Sequence, residues 1–413
     1  MLLKAITVSV GTFVSQLLPF LALPLLTRLF TKEHFGEFAL YFSIVTVTSM
    51  FLTFKLEQII ILSKNKCDME SRVRAILSQI LILFLIITLT FILNTQIQSY
   101  ISLPLDVFFL IPFGSLFLAF ILCVNCILLW HEHYKYLALI KILNSILYVT
   151  LAIFIGFNYQ DKDAVNGLIY GWFSGQLIVC LVAIILINYR TSLSLIPKLN
   201  FTVYRDFKDI VFLNFPSSLI DRVSQEVPIF FISNIYGVKN LGDFNMVTRI
   251  LGSPIALVGT AISQVLLKEI SSRTNARQSI TKVMLKAFTL LLITSTIVFI
   301  IFTNLTAEHY RYILGNEWGN ISVIVQILLP SFAFKLIVVP LSSVLLPLRK
   351  LVALAIWQVT FFLSTLYLFL FVEQSFIQKL NYLVMMEMIV YLLYLFIIIF
   401  SVKKYEHNLM SNG

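Results

Sequence analysis

The sequence has few charged side chains for its length. Only 12% of its 413 residues are Asp, Glu, Lys or Arg, whereas 59% are apolar. Soluble domains carry about a quarter charged residues, so a soluble enzyme of this size could not cover its surface with so few. The same apolar excess excludes a disordered chain and a collagen-like repeat.

Cysteine and the residue patterns of common catalytic sites are also scarce. Of the four cysteines, Cys123 and Cys126 are three residues apart, but they lie in an apolar segment without a nearby ligand pair. Buried thiols are therefore expected there rather than a zinc site or a disulfide. The sequence contains no nucleotide-binding Gly-Lys-Ser/Thr motif and no nucleophile–base pattern. We expect no catalytic activity, no metal and no cofactor, and a gradient of ions or of the substrate as the energy source.

Long apolar segments dominate what is present. A bilayer core of about 30 Å needs about 20 helical residues to cross it, and twelve segments come close to this length. They predict an all-α polytopic membrane protein rather than a barrel of short alternating strands. The predicted spans, numbered in chain order, are residues 6–29, 39–62, 76–98, 106–130, 136–157, 165–188, 209–235, 243–267, 283–304, 321–346, 351–372 and 381–401.

Basic residues lie mostly on one side of these spans. Twenty Lys and Arg residues fall on the side of the N-terminus, and six fall on the opposite side. The positive-inside rule then places both termini in the cytoplasm, and the even number of spans agrees. Because topology accounts for the net charge of +10, nucleic acid is not expected as a partner.

The chain contains an internal repeat. Residues 30–38, after span 1, resemble residues 236–244, after span 7, at an offset of 206. The first segment ends in Gly-Glu-Phe and the second in the similar triplet Gly-Asp-Phe. This offset is about half the chain length and relates spans 1–6 to spans 7–12, which predicts two parallel repeats about an axis along the membrane normal. We expect a six-helix lobe from residues 1–200, a second from residues 201–413, and a central cleft between them.

Charged residues within spans are the candidate functional residues. A charge near the middle of the bilayer is unfavourable by at least ~2.5 kcal/mol if it faces lipid, so each should face a watery cavity or a partner. With a rise of about 1.5 Å per residue, two of the four selected cations lie near the midplane and two lie nearer the ends of their spans. The candidate substrate-binding cations are, in that order, Arg222, Lys335, Arg249 and Lys55.

Span 7 carries the densest group of polar residues. These residues recur at three- and four-residue steps and so form one face of a helix. Arg222 and Glu226 are four residues apart and could pair, which leaves two interpretations open: a charge-neutral strut, or a cavity wall at which Arg222 meets an anion. The repeat offset aligns Gln16 of span 1 with Arg222. The candidate polar and ion-coupling residues are Asp221, Glu226, Gln225, Ser218, Gln16, Glu57 and Glu387.

Three segments have counterparts in a known family. Thr27–Phe38 is similar to a Thr-Arg-Leu…Phe-Gly signature, and Lys55–Glu57, before an apolar run, is similar to a basic-x-Glu segment. Tyr236–Phe244, followed by Arg249 and Pro254, is similar to a junction between helices 7 and 8. In this order, and with twelve spans, the chain resembles bacterial polysaccharide flippases of the O-antigen type, within the multidrug/oligosaccharidyl-lipid/polysaccharide exporter superfamily.

The resemblance implies a substrate and a direction of transport. The substrate would be an undecaprenyl-pyrophosphate-linked oligosaccharide repeat, of an O-antigen or a similar surface polysaccharide. It would pass from the cytoplasmic to the periplasmic leaflet of the bacterial inner membrane by alternating access. Arginine suits this substrate because a guanidinium offers paired donors to phosphate oxygens. The implied partners are the lipid-linked oligosaccharide and membrane lipids, with a polysaccharide polymerase and other assembly proteins as candidates.

Two other functions stay open at this point. A multidrug or cation antiporter on the same fold would need an acidic cavity, for which Asp221, Glu226 and Glu387 are candidates. A membrane-embedded glycan polymerase or ligase would be expected to carry a large periplasmic loop, whereas the longest outer loop predicted here is roughly residues 305–320.

Overall fold

The structure is built from α-helices. The computed structural model describes residues 2–94, 101–158, 166–191, 196–198 and 200–411, and these ranges contain no strand. Large apolar side chains stay exposed along the long helices, as at Leu85 (64%) and Leu89 (55%), which is typical of a lipid-facing surface. The helices are α1 Leu2–Leu21, α2 Leu23–Leu29, α3 Lys32–Thr53, α4 Lys66–Leu93, α5 Leu105–Trp130, α6 Tyr134–Asn158, α7 Gly167–Thr191, α8 Phe201–Asp206, α9 Phe215–Tyr236, α10 Val238–Pro254, α11 Thr260–Asn275, α12 Thr281–Thr303, α13 Ala307–Leu314, α14 Ile321–Leu341, α15 Leu351–Phe371 and α16 Phe376–Ser411.

Eleven helical segments within the described ranges are long and apolar enough to cross a membrane. They lie at the positions of all the predicted spans except span 7. That span corresponds to α9, a helix of 22 residues that contains Asp221, Arg222 and Glu226. Its charge, rather than its length, separates α9 from the others. The all-α membrane fold is therefore confirmed, and the crossing of the membrane by α9 stays a prediction.

The chain packs as two compact units, Met1–Gly242 and Asp243–Gly413. The core of the first is formed mainly by α4, α5 and α7, and the core of the second mainly by α14 and α16. Residues 201–242 join the first unit because α9 packs against α3. The division expected at residue 200 follows from the sequence repeat and stays a prediction.

Helix α3 ends earlier than the sequence suggests. Thr31 caps its first turn by accepting a hydrogen bond from the His34 N–H. The predicted span 39–62 continued through an apolar run, but the helix stops at Thr53, where Phe54 and Lys55 adopt left-handed backbone angles with φ of 47° and 61°. Left-handed residues end α-helices, and a short 3₁₀-helix, Leu56–Ile60, follows. Lys55 therefore lies in a turn rather than inside a helix.

The two repeat segments meet at the starts of α3 and α10. A Cβ atom added to Gly36 would lie 2.0 Å from the carbonyl oxygen of Val238, and one added to Gly242 would lie 1.9 Å from the carbonyl oxygen of Lys32. Only glycine allows two backbones to approach this closely. An ion pair of 3.6 Å between Lys239 and Glu33 crosses the same contact.

Candidate functional site

Arg222 of α9 forms an ion pair inside the first unit. Its Nη2 lies 2.5 Å from Oε1 of Glu226 and donates to Oγ1 of Thr46 on α3 at 3.0 Å. The side chain of Glu226 is only 5% exposed, whereas that of Arg222 is 33% exposed. The pairing that the four-residue spacing allows is therefore formed, and it neutralises a buried carboxylate.

The ion pair uses only part of the guanidinium group. Arginine has five N–H donors, two of them on Nη2, and both contacts of Arg222 named above involve Nη2. Its Nε is buried and has no hydrogen-bond partner within the part of the chain that the structure describes. Arg222 is thus paired but not saturated, and it keeps donors for a further acceptor such as a phosphate oxygen.

The residue just before α9 contacts the 3₁₀-helix Leu56–Ile60 that follows α3. The Asn214 side chain, just before α9, donates to Oε1 of Gln58 at 3.0 Å, and the Ser218 hydroxyl donates to Oδ1 of Asn214 at 3.4 Å. Asp221 is half-buried and Gln225 is exposed. A π-helical turn, Ile210–Asn214, leads into α9, and such turns are frequent at functional sites.

Lys335 is the second deep cation, and it too is paired. Its Nζ on α14 donates to Oε1 of Glu387 on α16 at 2.7 Å, with the two side chains 16% and 8% exposed. The ammonium also lies 4.6 Å from the centroid of the Phe332 ring and 5.6 Å from that of the Tyr391 ring. This arrangement holds both charges inside the second unit as a neutral pair.

The remaining predicted residues lie in different surroundings. Lys55 is half-buried in the turn after α3, and Glu57 is 4% exposed. Oε2 of Glu57 has no hydrogen-bond partner among the residues described. Arg249 is half-buried on α10, nearly two turns before the π-helical turn Ile255–Gly259, and Gln16 is exposed on α1. Their roles in binding or ion coupling stay predictions.

Lys141 is a cation inside a helix that the sequence analysis did not select as a candidate. Lys141 was counted with the basic residues at the cytoplasmic side, but it is the eighth residue of α6 and its Nζ donates to Oγ1 of Thr12 on α1 at 2.9 Å. The feature of the sequence that could have identified Lys141 was its position within predicted span 5. Its partner is 129 residues away, which a single sequence does not reveal.

Comparison with solved structures shows the fold. The chain is similar to a protein described as lipid II flippase MurJ in an inward closed conformation, with 14% identity, a TM-score of 0.75, and coverage of 99% of this chain and 91% of that one. It is also similar to an inward-facing multidrug resistance MATE family transporter of the MOP superfamily, with 15% identity, a TM-score of 0.67, and coverage of 97% and 94%. A third similar structure is a MOP superfamily transporter from Pyrococcus furiosus, with 13% identity, a TM-score of 0.63, and coverage of 98% and 96%.

Comparison of the sequence itself identifies the family. No curated protein matches the chain significantly. A family profile described as polysaccharide biosynthesis protein matches residues 25–323, a range that includes the repeat segments, α9 and the start of α14. With this match over more than half of its length, and with the transporter fold seen in its structural relatives, the chain belongs to the polysaccharide biosynthesis protein family.

Proposed function

We propose that the protein translocates an undecaprenyl-pyrophosphate-linked oligosaccharide repeat, of an O-antigen or a similar polysaccharide, from the cytoplasmic to the periplasmic leaflet. The observation that carries this proposal is Arg222, a cation with unused donors on a helix that lies among membrane spans. A guanidinium with free N–H groups binds phosphate oxygens in paired geometry. The likeness in fold to a protein described as a lipid II flippase supports a lipid-linked substrate.

The pairing of Arg222 with Glu226 fits a step in which a polyanion arrives. While the site is empty, the carboxylate neutralises a cation that would otherwise be unfavourable at hydrocarbon depth. A diphosphate can take the donors that the carboxylate leaves free. Transport then proceeds by alternating access between the two predicted lobes, with the polyprenyl tail in lipid and the charged head group in the cleft. No catalytic step is part of the proposal.

We place the protein in the bacterial inner membrane with both termini in the cytoplasm. The bias of basic residues toward the side of the N-terminus supports this orientation. The proposed partners are the lipid-linked oligosaccharide, membrane lipids, and assembly proteins such as a polysaccharide polymerase, which would receive the translocated repeat.

A multidrug or cation antiporter is the second candidate, and one observation favours it. Glu57 is buried, and the described chain offers its Oε2 no partner, as expected for a residue that binds a proton or a cation. Glu226 and Glu387, however, already have cationic partners. Each would have to release that partner before it could bind a cationic drug.

Deletion of the gene tests the proposal. Lipid-linked glycans are extracted from the deletion strain and from a strain complemented with the wild-type gene, and their leaflet is determined. We expect undecaprenyl-linked repeats to accumulate on the cytoplasmic side of the deletion strain. Unchanged surface glycan together with altered resistance to cationic dyes would instead support the antiporter.

A further inference from the structure

A polar cavity lies within the first unit, apart from Arg222. It measures about 220 Å³, and the six side chains that line it are polar or aromatic. The neighbouring helices are closely packed, since Cβ atoms added to Gly11 of α1 and to Gly171 of α7 would lie 2.5 Å and 2.6 Å from atoms of α6. Small residues at such contacts hold neighbouring helices close together. The lining residues are Ser15, Lys141, Asn144, Ser145, Tyr148 and Trp172.

Lys141 gives this cavity a cation without a carboxylate partner. Its ammonium donates to Oγ1 of Thr12 at 2.9 Å, and nothing in the described part of the chain forms an ion pair with it. Arg222 and Lys335, in contrast, each have a buried carboxylate as partner. An ammonium has three N–H donors, so Lys141 has two left after the bond to Thr12.

The rest of the lining is suited to a hydroxylated group. The Tyr148 hydroxyl is buried and, within the ranges described, has no hydrogen-bond partner. Its ring stacks on Phe38 at 5.6 Å between centroids, while Trp172 lies edge-to-face against Tyr41 and Phe42. These contacts fix the two aromatic rings. Buried polar groups normally have a partner, so a hydroxyl without one, in the same cavity as an ammonium that has no carboxylate partner, points to a ligand.

We propose that this cavity is a binding subsite for a sugar phosphate head group, in which Lys141 binds the phosphate and Tyr148 binds a sugar hydroxyl. The inference rests on the proposed function, because it places part of the lipid-linked substrate within the first unit. The cavity is smaller than the roughly 300–1,000 Å³ of drug-sized pockets. Because it is open to the outside, its volume suits one sugar phosphate, with the rest of an oligosaccharide lying outside it.

A binding experiment on the purified full-length protein tests this subsite. The probes are undecaprenyl pyrophosphate carrying one N-acetylglucosamine, undecaprenyl pyrophosphate without sugar, neutral undecaprenol, and inorganic pyrophosphate. Lys141→Ala should weaken binding of both lipid pyrophosphates about tenfold or more, since it removes a charged hydrogen-bond donor. The matched control is Lys135→Ala, which removes the same charge from an exposed position on the same helix and should leave binding unchanged.

Two further variants separate binding from folding. Lys141→Arg keeps the charge and should retain most of the affinity for the lipid pyrophosphates. Tyr148→Phe keeps the stacked ring and should weaken only the probe that carries a sugar. Binding of neutral undecaprenol should not respond to any of these changes. Wild-type affinity of both Lys141→Ala and Tyr148→Phe for the glycolipid would overturn the inference, and if Lys141→Ala fails to fold, Tyr148→Phe alone decides.

The same experiment distinguishes a lipid head group from a soluble phosphate as the ligand, and it distinguishes failure of the subsite from failure of the proposed function. A Lys141-dependent affinity for the lipid probes, with weak competition by inorganic pyrophosphate, identifies a lipid head group as the ligand. Equal competition by inorganic pyrophosphate identifies a soluble phosphate instead. If the wild type translocates glycolipid while Lys141→Ala binds and transports normally, the subsite is refuted and the proposed function stands. If Lys141-dependent binding occurs without translocation, the subsite stands and the proposed function fails.

Discussion

Gly36 and Gly242 occupy equivalent positions in one reciprocal contact. Each glycine lies against the backbone carbonyl group of the residue four positions before the other glycine. Gly36 lies against Val238, and Gly242 lies against Lys32. The offset of 206 relates both glycines and both carbonyls. The repeat seen in the sequence therefore becomes a symmetric contact between the first turns of α3 and α10. All four residues of the contact lie in the first unit.

Replacing either glycine by alanine should destabilise the protein. The new Cβ atom would collide with a backbone carbonyl, which cannot rotate away as a side chain can. We expect Gly36→Ala and Gly242→Ala each to lower the free energy of unfolding by ~1–3 kcal/mol, measured by thermal or denaturant unfolding in detergent. Gly252→Ala is the control, because its Cβ would meet nothing closer than Phe332 at 3.8 Å and alanine has the higher helix propensity. Equal midpoints for all three variants would show that the close contact does not form.

The Arg222–Glu226 pair allows its structural role to be separated from its role in transport. Arg222→Met leaves a buried carboxylate without its cation and should destabilise the protein by about 2 kcal/mol, less than a fully buried pair because Arg222 is partly exposed. The double variant Arg222→Met/Glu226→Leu should recover most of that stability. Transport of the lipid-linked substrate should be lost in both. Recovery of transport in the double variant would mean that Arg222 is only a strut.

The Lys335–Glu387 pair should contribute more to stability than an exposed pair does. Lys335→Met leaves Glu387 buried and unpaired, and we expect a loss of about 3 kcal/mol in the free energy of unfolding. The comparison is Glu269→Ala, which breaks the exposed pair of Glu269 with Arg273 on α11 (46% and 35% exposed) and should change stability by less than ~0.5 kcal/mol. Similar losses for the two variants would contradict a buried, neutralising role for Glu387.

The native cysteines provide a test of orientation. Cys67, at the start of α4, is exposed, whereas Cys123, Cys126 and Cys180 are buried. A membrane-impermeant maleimide should therefore label only Cys67, and only when the cytoplasmic side is accessible. We expect no labelling in intact spheroplasts and one label per chain in inside-out vesicles, with Cys67→Ser as the control. Labelling of Cys67 in intact spheroplasts would reverse the proposed topology.

Hydropathy predicts most of the fold but not the ends of its helices. The long apolar runs give the positions of the helices, because about twenty apolar residues in a row are expected to form a membrane-spanning helix. The end of α3 at Thr53 was missed, since the apolar composition continues through the left-handed turn at Phe54 and Lys55. Helix α9 lies where span 7 was predicted, although its charges set it apart from the other helices.

Local spacing predicts ion pairs within one helix and fails for pairs between helices. The Arg222–Glu226 pair follows from a separation of four residues on one helix. The Lys335–Glu387 pair joins residues 52 positions apart, and the Lys141–Thr12 bond joins residues 129 positions apart. Such contacts depend on which helix faces touch, which the hydrophobic pattern of a single sequence does not specify. The cavity around Lys141 could therefore not be predicted from the sequence, because the sequence shows its residues but not that they lie close together.

Translocation in proteoliposomes is the most direct measurement of the central claim. Purified protein is reconstituted with a fluorescent undecaprenyl-pyrophosphate-linked oligosaccharide, and the fraction accessible to an impermeant quencher is followed over time. The account predicts that the wild type moves the glycolipid between leaflets faster than protein-free vesicles do, and that Arg222→Met/Glu226→Leu does not. A wild-type protein that leaves the glycolipid in place but exchanges a cationic dye for protons or sodium ions would contradict it.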